Sequence, residues 1–185
     1  MRMVVLGLAA ALALGCTPAQ EQEEGALAAG CDARAAYAWA AGGQTLSVEA
    51  VSFGPDCARA VATLVMRDAS GDPLFIDSYL ARHVMVLAGA EGQAAMQTAL
   101  GEWLDASNPA MPTSAALPDW PANAQAPVSG EFPFYPSEGL DRAGYIALRA
   151  ANAPLYCFVQ GMESLRCVTY EGEGVTDVGV QLFPG

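Results

Sequence analysis

One stretch of the chain decides the fold, the segment 155-LYCFVQGMESLRCVT-169. Its two halves are rich in β-forming residues, and a glycine-containing turn separates them, which predicts an antiparallel hairpin. A three-residue loop over 161–163 sets Cys157 directly opposite Cys167 when pairs are counted outward from the turn. Residues opposed in this way have Cβ atoms about 4.5–5.5 Å apart, close to the spacing that a disulfide needs.

The cysteine count fits such a bridge. The chain has five cysteines, and if Cys16 serves another purpose, four remain, which allow three pairings. We favour Cys31–Cys57 together with Cys157–Cys167. The alternative is reduced, buried thiols. A zinc site is disfavoured, because the chain has no C-x-x-C spacing and a single histidine.

Upstream of the hairpin, β-forming residues recur in three runs, over 45–53, 58–67 and 74–80. Turn signals separate the runs, at Gly54-Pro55-Asp56 and at residues 68–73. This spacing predicts a meander of three antiparallel strands. A last strand is predicted over 175–183, after the glycine-rich turn that follows the hairpin.

Two segments have helical periodicity. The first predicted helix covers residues 91–106, with Glu91 in its first turn and Asn108-Pro109 as the signal that ends it. Its apolar residues lie on one face, namely Met96, Leu100, Trp103 and Leu104. In residues 141–151 Asp141 is the predicted N-cap, and the apolar contacts are Leu140, Tyr145 and Leu148. The predicted fold class is therefore α+β, with antiparallel β-sheet meanders, two helices packed on one face, and disulfide staples.

The segment 107–138 is rich in proline and has no periodic pattern. It is either a mobile linker or a long loop pinned by aromatic side chains, and we favour the pinned loop because aromatic residues are rare in linkers. The aromatic cluster Phe132, Phe134 and Tyr135 is a candidate binding surface. The competing interpretation, which we prefer, is that this cluster closes a core.

Charge excludes one class of function. The formal net charge is −12, and the cations are eight arginines with no lysine, so the chain lacks the positive charge that nucleic-acid binding needs. His83 is the only histidine. One interpretation of His83 is a catalytic base with an acidic partner such as Asp77. We prefer the other interpretation, an ordinary surface histidine. We assign no catalytic, metal-binding or cofactor-binding residue, since no G-x-S-x-G elbow, calcium loop or phosphate loop is present.

The N-terminal residues indicate export. An apolar stretch of about 13 residues follows Arg2, which is too short for the roughly 20 residues of a membrane span and typical of a signal peptide over 1–15. The segment 12-LALGC-16 resembles the lipobox of bacterial lipoproteins, although Ala13 stands where that family prefers leucine. The resemblance implies cleavage before Cys16 and lipidation of its thiol.

The resemblance also implies a location. Thr17 is not the aspartate that retains such lipoproteins at the inner membrane, so an outer-membrane anchor facing the periplasm is implied for a Gram-negative host. Residues 16–30 are then the lipidated cysteine and a flexible acidic tether, and residues 31–185 are a single globular domain. The alternative is a soluble secreted or periplasmic product cut by an ordinary signal peptidase.

Together these features predict a membrane-anchored envelope lipoprotein with a non-catalytic binding or structural role. Its expected partners are the membrane, through lipid on Cys16, and a protein of the envelope. The alternative is an exported hydrolase that uses acidic residues, with or without His83.

Overall fold

The computed structural model describes residues 30–105, 111–128 and 130–183. In those ranges the chain forms two four-stranded antiparallel sheets and two α-helices. The predicted α+β class with antiparallel meanders is therefore confirmed.

The first sheet is a meander with the strand order β1-β2-β3-β4. Its strands are β1 (Ala33–Ala41), β2 (Gln44–Phe53), β3 (Val61–Arg67) and β4 (Pro73–Leu80). The prediction of three strands missed β1, whose alanines carry little β-propensity. This strand is held by continuous pairing with β2. The predicted second strand began too early, because Cys57–Arg59 forms a 3-10 turn before β3.

The second sheet has the strand order β5-β8-β7-β6. Its strands are β5 (Phe134–Pro136), β6 (Leu155–Val159), β7 (Ser164–Tyr170) and β8 (Val175–Leu182). The predicted hairpin is confirmed as β6 and β7, and Cys157 pairs with Cys167 in the predicted register. β5 lies inside the segment expected to be a loop, because its three residues align on the edge of β8 rather than following a periodic pattern of their own.

Both favoured disulfides are present. Cys157 and Cys167 are bridged with their Cα atoms 4.0 Å apart. Cys31 and Cys57 are bridged across 26 residues of sequence, with Cα atoms 4.9 Å apart. This second bridge fastens the start of the described chain to the loop between β2 and β3. The disulfide staples predicted from the cysteine count are thus confirmed.

The two helices are α1 (Gln93–Leu104) and α2 (Arg142–Ala151). α1 begins later than predicted, with Gly92 at its N-cap, so Glu91 lies outside the first turn. The predicted apolar face of α1 is buried. α2 begins as predicted, because the Asp141 carboxylate accepts a hydrogen bond from the Gly144 N–H at 2.8 Å. It ends at Asn152, which adopts the left-handed conformation with φ 51°.

The core consists of two clusters separated by the second sheet. In β6, Tyr156 and Phe158 join the cluster that contains the first sheet and α1. The alternating residues Leu155 and Cys157 join the other cluster, together with Tyr145 of α2. Because successive side chains of a strand point to opposite faces, the second sheet is covered on both sides and forms the middle layer of the molecule.

Candidate binding groove

The strongest candidate site is an apolar groove beside the turn of the β6–β7 hairpin. Its volume is about 340 Å³, and its lining is Met85, Val159, Met162, Glu163, Ser164, Leu165 and Phe183. Small-ligand sites in proteins have volumes of about 300–1,000 Å³ and mainly apolar walls. We call this site the hairpin groove.

Backbone hydrogen bonds hold the walls of the hairpin groove in place. The Met85 N–H donates to the Gly161 carbonyl at 3.2 Å, and the Phe183 N–H donates to the Glu163 carbonyl at 2.8 Å. Three segments that are far apart in sequence are thereby fixed around one turn. The Gln160 N–H donates to the Ser164 carbonyl at 3.1 Å, which closes the turn. The framework of the groove is fixed, and its methionine side chains remain adaptable.

The methionines are unusually exposed for apolar residues. Met85 is 56% exposed and Met162 is 54% exposed. A single exposed apolar side chain is ordinary, whereas two beside one concave surface make that surface a candidate binding site. Methionine surfaces suit ligands of variable shape, because the thioether chain is flexible and polarisable.

The predicted aromatic surface divides between the core and this region. Phe134 is 1% exposed and packs in the second cluster, so it is not part of a surface. Phe132 is 41% exposed and packs on Phe183, with ring centroids 5.0 Å apart, which extends the hairpin groove. Tyr135 is 53% exposed and lines an adjoining cavity of about 360 Å³ with Leu182.

The predicted pinning of the long segment is confirmed for its described residues. Trp120 packs edge-on against Tyr145 at a centroid distance of 5.4 Å, and the Trp120 indole N–H donates to the Ala124 carbonyl. Ser114 is fully buried, donates to the Leu148 carbonyl at 2.6 Å and accepts from the Ala153 N–H. No sequence pattern predicts this role for Ser114, whose two hydrogen bonds hold the long segment against the end of α2.

Among the described residues, no hydrogen bond or ion pair joins His83 to Asp77. His83 is exposed on the 3-10 turn Ala81–His83. Asp77 instead accepts a hydrogen bond from the Tyr79 hydroxyl at 2.5 Å and pairs with the Arg166 guanidinium. His83 therefore lies on the surface of the described structure.

Arg166 is the centre of a cluster of charges between the two sheets. Its guanidinium also donates to the Asp177 carboxylate at 2.9 Å and lies 5.6 Å from the centre of the Phe75 ring. Burial, together with the hydrogen bond to Asp77, raises the pKa of the Tyr79 hydroxyl. Because both carboxylates are engaged with the same cation, the cluster resembles a structural cross-link more than an open acid–base site.

Two further properties concern the described ranges only. They contain no group of three or more histidine, cysteine or acidic side chains placed to hold a metal ion. Within those same residues, neither helix has the combination of length and apolar composition that crossing a bilayer requires.

Comparison of the chain with protein-family models, with curated proteins and with solved structures finds no match. The predicted signal, the lipobox-like segment and Cys16 lie outside the described residues.

Proposed function

We propose that this protein is a lipid-anchored envelope protein with a non-catalytic binding role. The observation that carries the proposal is the pairing of the cysteines. Four of the five are consumed by the bridges Cys31–Cys57 and Cys157–Cys167. The remaining thiol is Cys16, which follows the short apolar stretch at the position that a lipobox requires.

The domain supports a binding role through the hairpin groove. The groove has walls of methionine, leucine, valine and phenylalanine, with Glu163 as its one ionisable side chain. Such a lining favours an apolar ligand and offers no general acid–base pair. For a Gram-negative host we place the domain at the periplasmic face of the outer membrane, because Thr17 follows the cysteine.

The anchor is tested by intact mass spectrometry of the protein extracted from membranes. We expect loss of residues 1–15 and added acyl mass on Cys16, because the lipobox-like segment implies cleavage before that cysteine and lipidation of its thiol. A soluble product with an unmodified Cys16 thiol would overturn the anchor and leave an odd thiol in an oxidising compartment.

The binding role is tested with the neutral apolar dye Nile red on residues 17–185 in detergent-free buffer, because micelles and bilayers take up the dye themselves. Met162→Asp replaces an apolar wall of the groove with a charge and should weaken dye binding by about tenfold or more, because the neutral dye loses an apolar contact and meets a hydrated carboxylate. The matched control is His83→Ala, which alters an exposed residue outside the groove and should leave dye binding unchanged. Equal dye affinity for Met162→Asp and the parent protein would remove the groove as the binding site.

A further inference from the structure

The chain enters the domain at a defined end of the molecule. The Cys31 N–H donates to the Gly54 carbonyl at 3.0 Å, directly after β2 ends at Phe53, and the Cys31–Cys57 bridge reinforces this contact. β4 runs in the same direction as β2, since each is antiparallel to β3, so Leu80 lies at the same end. We call this end the proximal end, because it is nearest to the anchor along the chain.

The hairpin groove lies at the proximal end as well. Met85 follows Leu80 after the short turn Ala81–His83, and its N–H binds the Gly161 carbonyl of the hairpin turn. Phe53 is 56% exposed and Leu80 is 36% exposed at this end. Together with the two groove methionines, these exposed apolar side chains of the proximal end are called the apolar rim.

Charge is distributed unevenly between the two ends. At the opposite end, the β3–β4 turn contains Asp68 and Asp72, and the β7–β8 turn contains Glu171 and Glu173. At the proximal end, Arg59 and Arg82 of the two 3-10 turns lie among the carboxylates of Asp32, Asp56 and Glu163, and Arg59 pairs with Asp56, so both signs of charge are present there. An anionic lipid surface therefore repels the opposite end more strongly than the proximal end.

The covalent link limits how far the domain can move from an anchor at Cys16. About 14 residues separate Cys16 from Cys31, and a fully extended chain spans at most about 3.3–3.6 Å per residue. The proximal end therefore stays within roughly 50 Å of the lipid. At such a short reach the effective concentration of membrane is high, so a small apolar rim is sufficient for docking.

We infer that the proximal end docks on the bilayer that holds the anchor, with Met85, Met162 and Phe53 in the headgroup region. The ligand of the hairpin groove is then membrane lipid. This inference depends on the proposed function and names its ligand class. Apolar side chains of peripheral proteins enter the boundary between headgroups and acyl chains by about 5–10 Å.

The test uses the full lipidated protein in vesicles of phosphatidylethanolamine and phosphatidylglycerol with brominated acyl chains. Met162→Trp places a fluorophore in the groove, and Met85→Trp is a second variant at the same site. The control is Ile76→Trp, because Ile76 is 67% exposed on the outer face of β4, about 13 Å before Leu80 along the strand. The fluorescence of the parent protein, with its own tryptophans, is subtracted.

We expect bromine to quench both groove tryptophans at least about twice as strongly as the tryptophan at position 76, because only the proximal end enters the lipid. Equal quenching at all three positions, or stronger quenching at position 76, would overturn the docking. Intact mass spectrometry of the same sample shows separately whether Cys16 is acylated. Absence of the acyl group is thereby distinguished from failure of the domain to dock.

Discussion

At the scale of single residues, Arg166 links the two sheets. It binds Asp177 on the neighbouring strand β8 and Asp77 on β4 of the other sheet. Asp77 also accepts the hydrogen bond from Tyr79. The three charged side chains retain 24–34% exposure, so the cluster stabilises the fold less than a fully buried network would.

Asp77→Asn tests this link. The substitution weakens the ion pair to Arg166 and removes a charged acceptor from Tyr79, so we expect the free energy of unfolding to fall by about 1–2 kcal/mol. Urea denaturation measures the change. The control is Asp119→Asn, whose pair with Arg149 involves a carboxylate 79% exposed and should cost less than about 0.5 kcal/mol. Similar losses in both variants would show that the cluster is no stronger than a surface pair.

Sequence reasoning could not find this cluster. Arg166 and Asp77 are 89 positions apart, and no local pattern relates an arginine in a hairpin to a carboxylate in a separate meander. The proximity of Cys157 and Cys167 was predictable for the opposite reason, because one short turn fixes their register. At the residue scale, the sequence therefore predicts contacts that a turn determines and misses those that depend on how the sheets pack.

At the scale of elements, the pairing of β5 with β8 depends on Gly179. Its φ is +145°, and a Cβ at this position would lie 2.3 Å from the Tyr135 carbonyl oxygen and 2.8 Å from the Pro136 Cα. The same residue adjoins the bulge between Cys167 and Val168 in the β7–β8 pairing. A glycine here lets the short edge strand approach closely.

Gly179→Ala should displace β5. We expect the free energy of unfolding to fall by more than about 2 kcal/mol, since the methyl group meets backbone atoms that cannot rotate away. Amide hydrogen exchange should also become faster in β5. Gly174→Ala is the matched control, because a Cβ there meets nothing within 4 Å. If both variants unfold at the same urea concentration, close backbone approach at Gly179 is not what limits this pairing.

The elements that sequence reasoning identified are those with a strong period or a clear turn. α1, α2 and six of the strands were found in this way, and Asp141 was found as a cap. β1 and β5 were missed, because an alanine-rich run and a three-residue strand have no pattern of their own. Their structure comes from neighbours: β2 pairs along all of β1, and the Gln97 side chain of α1 bonds the backbone of Arg34.

At the scale of the whole molecule, the hairpin groove and the proximal end are products of topology. Met85, Met162 and Phe183 come from three separate segments, which the hydrogen bonds at the hairpin turn and the pairing of β7 with β8 bring together. The sequence flagged Phe132 and Tyr135, which lie beside the groove, but offered no reason to single out the methionines. Composition indicates that an apolar surface exists, whereas the connection of the strands determines where it lies.

Burial of tyrosines between the layers predicts how the whole domain responds to alkali. Burial raises the pKa of the Tyr79, Tyr145 and Tyr156 hydroxyls. These groups stay protonated in the folded state at a pH where the unfolded chain ionises, which begins near about pH 10. The unfolded state then binds fewer protons, so stability is retained below about pH 10 and is lost as pH rises further.

Tyr156→Phe should reduce this alkaline sensitivity. The Tyr156 hydroxyl donates to the Leu104 carbonyl at 2.7 Å, so the variant should be less stable than the parent at neutral pH by about 1 kcal/mol. Above about pH 10 its free energy of unfolding should fall less steeply than that of the parent, by up to about 1.4 kcal/mol per pH unit. Urea denaturation at a series of pH values measures both effects, and Tyr135→Phe, at an exposed tyrosine, is the control. Parallel curves for Tyr156→Phe and the parent above pH 10 would mean that this buried hydroxyl does not contribute to alkaline unfolding.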